Sequence, residues 1–300
     1  MRVITNLLFK VALSSMIVTA PAMTSNKDVR YGGPSEKDSM LPYYSSSVIK
    51  KFVNYTSLTS TPVFEEKENT PVSSVTEGEG AADANAGSTE ALAKAVELKM
   101  VVSEAVILYD YMSLEKTGLD EKAFEYAWRG YHNLLKKGLI RKQNVLSICD
   151  FSQPSCSKRL YVIDVRHKKL LYRTYVAHGQ NSGAEYASSF SNEKDSYKSS
   201  LGFYLTKRTY YGRNGLSLRI EGVDTGYNDL ASKRNIVLHG ASYVSQKYMT
   251  NNGAIGNSLG CPAMPNTMSP KIIRAVRNGS CLFIYHPTQK YLQESCVING

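Results

Sequence analysis

The strongest constraint on the fold lies after Gly138, where the chain becomes a succession of short β-type runs: Val145 to Ile148, Arg159 to Val165, Lys169 to Ala177, Leu201 to Thr206, Ser217 to Ile220, Asn235 to His239 and Cys281 to Tyr285. Turn-rich loops separate them, and RLYVIDV and KLLYRTYV flank Arg166-His167-Lys168 as the arms of a hairpin. Strands this short and frequent predict a closed or sandwiched β domain with helical additions. One late helix is bracketed by Ser269 as N-cap, Pro270 at its first position and Gly279 after its last turn. The expected fold class is α+β, mainly β.

The preceding segments read differently. Residues 1–22 carry Arg2 and Lys10, mostly apolar runs and a small-x-small Ala20-Pro21-Ala22 site, the pattern of an export signal. Residues 23–88 are rich in Ser, Thr, Glu, Gly, Pro and Asn and end in GEGAADANAGS, a composition that cannot bury enough apolar surface to fold; it reads as a disordered linker. Residues 89–142 predict a helical subdomain. Its first helix, Thr89 to Tyr111, has apolar residues at Leu92, Ala95, Val96, Met100, Ala105 and Leu108; its second has Asp120 as N-cap, a stripe of Phe124, Ala127, Tyr131, Leu134 and Leu135, and Gly138 as stop. Residues 143–300 form the remaining expected domain.

The formal charge is +10, and loss of Arg2 and Lys10 with the leader leaves +8. A basic exported protein attracts anionic polymers of the cell envelope, whereas nucleic acid is not an expected partner outside the cytoplasm. No apolar stretch suffices for a permanent transmembrane span. The expected location is periplasmic or cell-envelope.

Five cysteines are present. Cys149/Cys156 and Cys281/Cys296 are close pairs that an oxidising compartment could bridge, leaving Cys261 unpaired; small buried apolar thiols are the equal alternative. No C-x-x-C or H-x-x-x-H pair occurs, so neither a metal nor any other cofactor is expected.

The chemistry concentrates in RNIVLHGASYVSQKYMTNNGAIGNSLGCPAMP, Arg234 to Pro265. A strand delivers His239 to its end, Gly240 follows, and a glycine-rich loop leads to Ser258-Leu259-Gly260-Cys261-Pro262. A cysteine attacks a carbonyl as thiolate and needs a neighbouring base, which an imidazole supplies. N–H groups near Gly260 and Cys261 are candidates for an oxyanion hole. His178-Gly179 also ends a strand and competes with His239 for the role of base. His132, His167 and His286 read as packing or surface residues.

IVLHG followed by SLGCP resembles the His-Gly and Ser-x-Gly-Cys signature of the L,D-transpeptidases, the YkuD-like fold, and specifically its branch ending in Gly-Cys-Pro. SKRLYVIDV, YVAHGQNSG, SSLGFYLT, YYGRNGLSLRIEG and CLFIYHP extend the resemblance over residues 150–287. It implies a β-sandwich or barrel with small helices, Cys261 as nucleophile, His239 as general base, the Gly240 carbonyl as the group orienting the imidazole, and Ser258 and Gly260 shaping the turn. It further implies attack on the carbonyl between an L-centre and a D-amino acid in a peptidoglycan tetrapeptide stem, followed by acyl transfer to an amine, or to water in a carboxypeptidase.

Many members of that family carry a His where Leu259 stands and an Arg soon after the cysteine, where this chain has Pro262 and Ala263. Arg234, Arg213 and Tyr243, with Ser258, are the residues expected to bind the stem instead. A papain-like peptidase would place its cysteine before its histidine, the reverse of the order here. A cell-wall binding protein that kept the fold and lost turnover is the non-enzymatic alternative.

Overall fold

The computed structural model describes residues 83–300, with side chains from residue 90 onward; the expected export signal and all but the end of the expected linker lie outside the described residues. Helix α1 spans Asp83–Tyr111, beginning inside the Gly/Ala-rich run expected as linker, where alanine favours helix propagation. Helix α2 spans Glu121–Lys136. Asp120 caps it by accepting from the Ala123 N–H at 2.8 Å. Gly138, at φ 66°, ends it, with the Gly138 and Leu139 N–H groups bonded back to Leu135 and Leu134.

The apolar positions of α1 do not all pack. Ala105, Leu108 and Tyr109 are buried against α2, while Leu92 and Met100 are 63% and 66% exposed. The cause is length: α2 has 16 residues against 29 in α1, so the early turns of α1 run past their partner. His132 and Trp128 both reach Glu104 on α1, at 3.4 and 3.2 Å, which makes them packing residues between the helices.

The β residues form one eight-stranded mixed sheet, ordered β3-β2-β1-β8-β4-β5-β6-β7. The strands are β1 Val145–Asp150, β2 Leu160–Asp164, β3 Lys169–Thr174, β4 Gly202–Gly212, β5 Gly215–Gly222, β6 Val237–Ala241, β7 Ala263–Pro265 and β8 Cys281–Tyr285. The sheet curls until its ends meet: Ala177, just past β3, bridges Ala263 of β7, and Gly179 bridges Ser258. This barrel-like closure joins the two His-Gly segments to one loop.

Strand β4 runs well beyond the expected Thr206. A register shift between Thr206 and Thr209 bulges Lys207 and Arg208 out of the ladder, and the strand continues to a hairpin at Arg213-Asn214. The polar KRTYYG run hides this extension from a hydrophobicity reading.

Helix α3 spans Gln246–Asn252, α4 Ser269–Val276, α5 Gln289–Glu294 and α6 Cys296–Asn299. Helix α4 has Met268, not Ser269, at its cap position, and Pro270 lies inside its first turn. One apolar core joins α1, α2, α4 and the C-terminal α5 and α6 to the sheet; Phe203 of β4 stacks on Phe283 of β8 at 4.1 Å between ring centres. All five cysteines are free thiols, with Cys149 and Cys281 fully buried in central strands. Among the described residues no helix is long and apolar enough to cross a membrane.

Candidate active site

Strand β6 lies between β5, where Ser217 faces His239, and the short parallel β7, where Ala263 does. Cys261 precedes β7 by two residues and His239 follows Val237 by two, so the thiol stands level with Val237 at the entry of β6. The Val237 N–H donates to Cys261 Sγ at 3.4 Å, and the thiol donates to the Asn235 carbonyl at 3.8 Å. No hydrogen bond joins Cys261 to His239. A two-residue offset across neighbouring strands separates their Cα atoms by roughly 8 Å, a span that side chains of one face can close when a substrate draws them together.

The imidazole of His239 is oriented by its own backbone neighbour. Nδ1 lies 2.9 Å from the Gly240 carbonyl oxygen; a carbonyl only accepts, so Nδ1 carries the proton and Nε2 keeps a free lone pair. Burial holds the His239 pKa below its ordinary value, opposed by the Gly240 bond. A side chain at Gly240 would crowd its neighbours, because a Cβ would lie 2.4 Å from Ser269 Oγ and 2.5 Å from Asn266 Oδ1 and both would have to shift.

His178 is arranged in the opposite way. Arg159, itself fully buried, donates to His178 Nδ1 at 2.7 Å, so the proton sits on Nε2 and is donated to the Gly183 carbonyl at 3.0 Å. Both ring nitrogens are engaged. Burial, then the adjacent guanidinium, pulls the His178 pKa down to about 4. The same arginine bonds the Val176 and Gln153 carbonyls and lies over the Phe151 ring. His178 is therefore a buried support, and its main chain grips the cysteine loop: Ser258 N–H donates to the His178 carbonyl at 2.9 Å and Gln180 N–H to the Ser258 carbonyl at 2.8 Å.

Ser258 organises the turn internally. Its hydroxyl donates to the Cys261 carbonyl at 2.6 Å and accepts from the Gly260 N–H at 3.1 Å. Gly260 sits at φ +112°, and a Cβ there would meet the Lys198 carbonyl oxygen at 2.8 Å. The Gly260 N–H is thus engaged within the turn, which corrects its expected place in an oxyanion hole; the Cys261 N–H has no partner among the described residues.

The residues expected to bind substrate differ in availability. The Arg234 guanidinium holds the 191–200 loop, donating to the Ser191 and Lys198 carbonyls at 2.7 Å, to Ser196 Oγ at 3.1 Å and to Ser200 Oγ. It is close enough to Cys261 to favour the thiolate, although crowding around the sulfur is the larger effect and leaves the thiol pKa raised. Tyr243 is half-buried, packs over Gly256 and has its phenol pushed up to about 12 by burial, then by Cys261. Arg213 is exposed at the β4–β5 hairpin tip, beyond the end of β5 that faces His239. Sequence reasoning gave Arg159 no role, and its only signal was an arginine opening an otherwise apolar strand.

A curled, mainly β sheet with a histidine inside one strand and a Ser-x-Gly-Cys turn leading into the next defines the class of domain. The chain belongs to the family of the L,D-transpeptidase catalytic domain, whose pattern matches residues 115–285. Among solved structures it is similar to an L,D-transpeptidase from Mycobacterium smegmatis (11% identity, TM-score 0.29, 48% of this chain and 59% of that one). It is also similar to L,D-transpeptidase 3 from Mycobacterium tuberculosis (11% identity, TM-score 0.31, 48% and 61%) and to an L,D-transpeptidase from Stackebrandtia nassauensis (14% identity, TM-score 0.29, 55% and 67%). The matched region thus spans about three fifths of the length of the two mycobacterial chains. No curated relative matches the sequence.

Proposed function

We propose that the protein is an exported cysteine L,D-transpeptidase acting on peptidoglycan tetrapeptide stems through a thioester. The observation that carries this reading is the contrast between the two His-Gly segments: His239 keeps Nε2 free beside the cysteine strand, while His178 has both nitrogens occupied. In the proposed reaction the Cys261 thiol gives its proton to His239 Nε2 as Sγ bonds to the stem carbonyl. The Cys261 N–H meets the developing oxyanion. The C–N bond to the terminal D-amino acid breaks, the leaving amine takes the proton from the imidazolium, and an acceptor amine then attacks the thioester and restores the thiol. With water as acceptor the product would be a shortened stem.

The raised thiol and depressed imidazole pKa values support a resting pair that is neutral, so proton transfer accompanies attack. Intact-mass spectrometry of the full chain with a disaccharide-tetrapeptide or a carbapenem tests the reading. An adduct on wild type that is missing from Cys261→Ala supports it; an unmodified, reduced thiol after prolonged incubation leaves the cell-wall binding protein as the better account.

A further inference from the structure

On the opposite side of β6 from Cys261, the bulge of β4 and the outer half of β5 form one wall of a cavity of about 710 Å3, within the roughly 300–1,000 Å3 usual for small-ligand sites. Arg141, Lys207, Arg208 and Arg219 line it with a single acid, Glu221, and Leu139 adds an apolar patch. Lys207 and Glu221 pair with each other. That leaves three exposed guanidinium groups around one cavity, and among the described residues none of them has a carboxylate partner or a side-chain hydrogen bond; Arg219 only lies over the Tyr210 ring at 4.8 Å.

The β5 wall of the cavity stands two strands from the cysteine-bearing segment. Arg219 is two residues from Ser217 on β5, so both project from one face, and Ser217 faces His239 across the ladder. Arg219 itself faces Val237, whose N–H holds the thiol. Two strand spacings of about 4.8 Å place Arg219 roughly 10 Å from Cys261, the span of about three extended residues.

We propose that this cavity is a carboxylate-binding subsite that takes the peptide portion of the substrate beyond the bond under attack. The inference rests on the transpeptidase reading for the identity of the ligand. Forked guanidinium groups pair bidentately with carboxylates, and stem peptides carry several carboxylates along a short extended chain. Arg219, Arg208 and Arg141 supply the grip that Pro262 and Ala263 cannot, and they do so from the β5 side of the nucleophile, not from its own loop.

The test measures binding to full-length Cys261→Ala protein by calorimetry, using a stem tetrapeptide with free carboxylates and the same peptide with every carboxylate amidated. The free acid binds more tightly than the amide, and Arg208→Gln with Arg219→Gln weakens the acid by about tenfold or more while leaving the amide unchanged. Arg208→Lys with Arg219→Lys keeps the charge without the fork and falls between. Arg141→Gln with Arg208→Gln leaves the Tyr210 contact intact and still lowers affinity, which separates lost binding from local unfolding. Equal affinity for acid and amide, or a preference for the acid that survives the glutamine substitutions, overturns the subsite. Carbapenem adduct formation on the Cys261-containing protein reports the transpeptidase reading separately: its failure alongside arginine-dependent acid binding removes the enzyme and keeps the cavity.

Discussion

Ser258→Ala is the sharpest perturbation of the cysteine loop, because one hydroxyl closes the turn from both ends. Ser258 is 4% exposed, and its Oγ joins the Cys261 carbonyl to the Gly260 N–H. Alanine removes the bond to the Cys261 carbonyl, worth about 1 kcal/mol net, and strands the buried Gly260 N–H at a cost of about 1–3 kcal/mol; the combined loss is about 2–4 kcal/mol. The backbone bonds of Ser258 to His178 and Gln180 remain, so the loop stays attached while the Gly260-Cys261 peptide is free to rotate. In a folded unit of this size, 1 kcal/mol corresponds to about 2–4 °C, giving an expected fall in Tm of about 5–15 °C. A misplacement of about 1 Å at the thiol costs on the order of a hundredfold in rate, so adduct formation followed by mass spectrometry slows far more than the melt alone suggests. A variant that keeps both the wild-type Tm and the wild-type adduct rate would refute the assignment of Ser258 as the clasp of the turn.

The other predictions concern protonation and packing. His178 has its pKa lowered to about 4 from the ordinary 6.5, so between those values the unfolded chain binds a proton that the folded one refuses; stability is full above about pH 6.5 and falls by about 3 kcal/mol toward pH 4. His178→Gln flattens that slope in thermal melts across pH 4.5–7.5, and an unchanged slope counts against the buried neutral imidazole. Because the Cys261 pKa is raised, iodoacetamide alkylation of Cys261 climbs without a plateau from pH 6 to 9. Arg234→Gln, which removes the nearby positive charge, slows it at every pH; a plateau below pH 8 contradicts the neutral resting pair. Gly130→Ala in α2 would ordinarily stabilise a helix by about 1 kcal/mol, but its Cβ would lie 2.1 Å from Phe203 Cζ, and overpacking costs about 1–3 kcal/mol. Urea denaturation should show no gain and a net loss of up to about 2 kcal/mol, and a gain would mean that α2 does not sit on β4 as described.

What the sequence disclosed tracks how local the determinants are. Helix α2 was legible because its cap, stripe and stop all lie within one segment, and β8 matched its expected bounds because an apolar strand buried on both faces appears as a continuous run. The early turns of α1 had the same periodicity as a packed helix, yet whether a partner reaches them depends on the length of α2. Strand β7 escaped notice because three residues make no pattern, although their pairing with Ala177 closes the sheet.

The two His-Gly pairs show where local reading stops. His178-Gly179 and His239-Gly240 each end an apolar run, and nothing within either segment assigns the proton to one ring nitrogen or the other. That assignment depends on Arg159 in one case, 19 residues away, and in the other on a backbone carbonyl brought into line by a glycine that Asn266 and Ser269 crowd. The role proposed for His239 also depends on His178. The segment that His178 anchors holds Ser258 and Ala263 on either side of Cys261, so the buried, electrically neutral histidine keeps in register the thiol that the free Nε2 of His239 would deprotonate. Substituting His178 should therefore lower activity without altering which residue accepts the proton, whereas substituting His239 should abolish adduct formation and leave the acid-side stability slope of His178 in place.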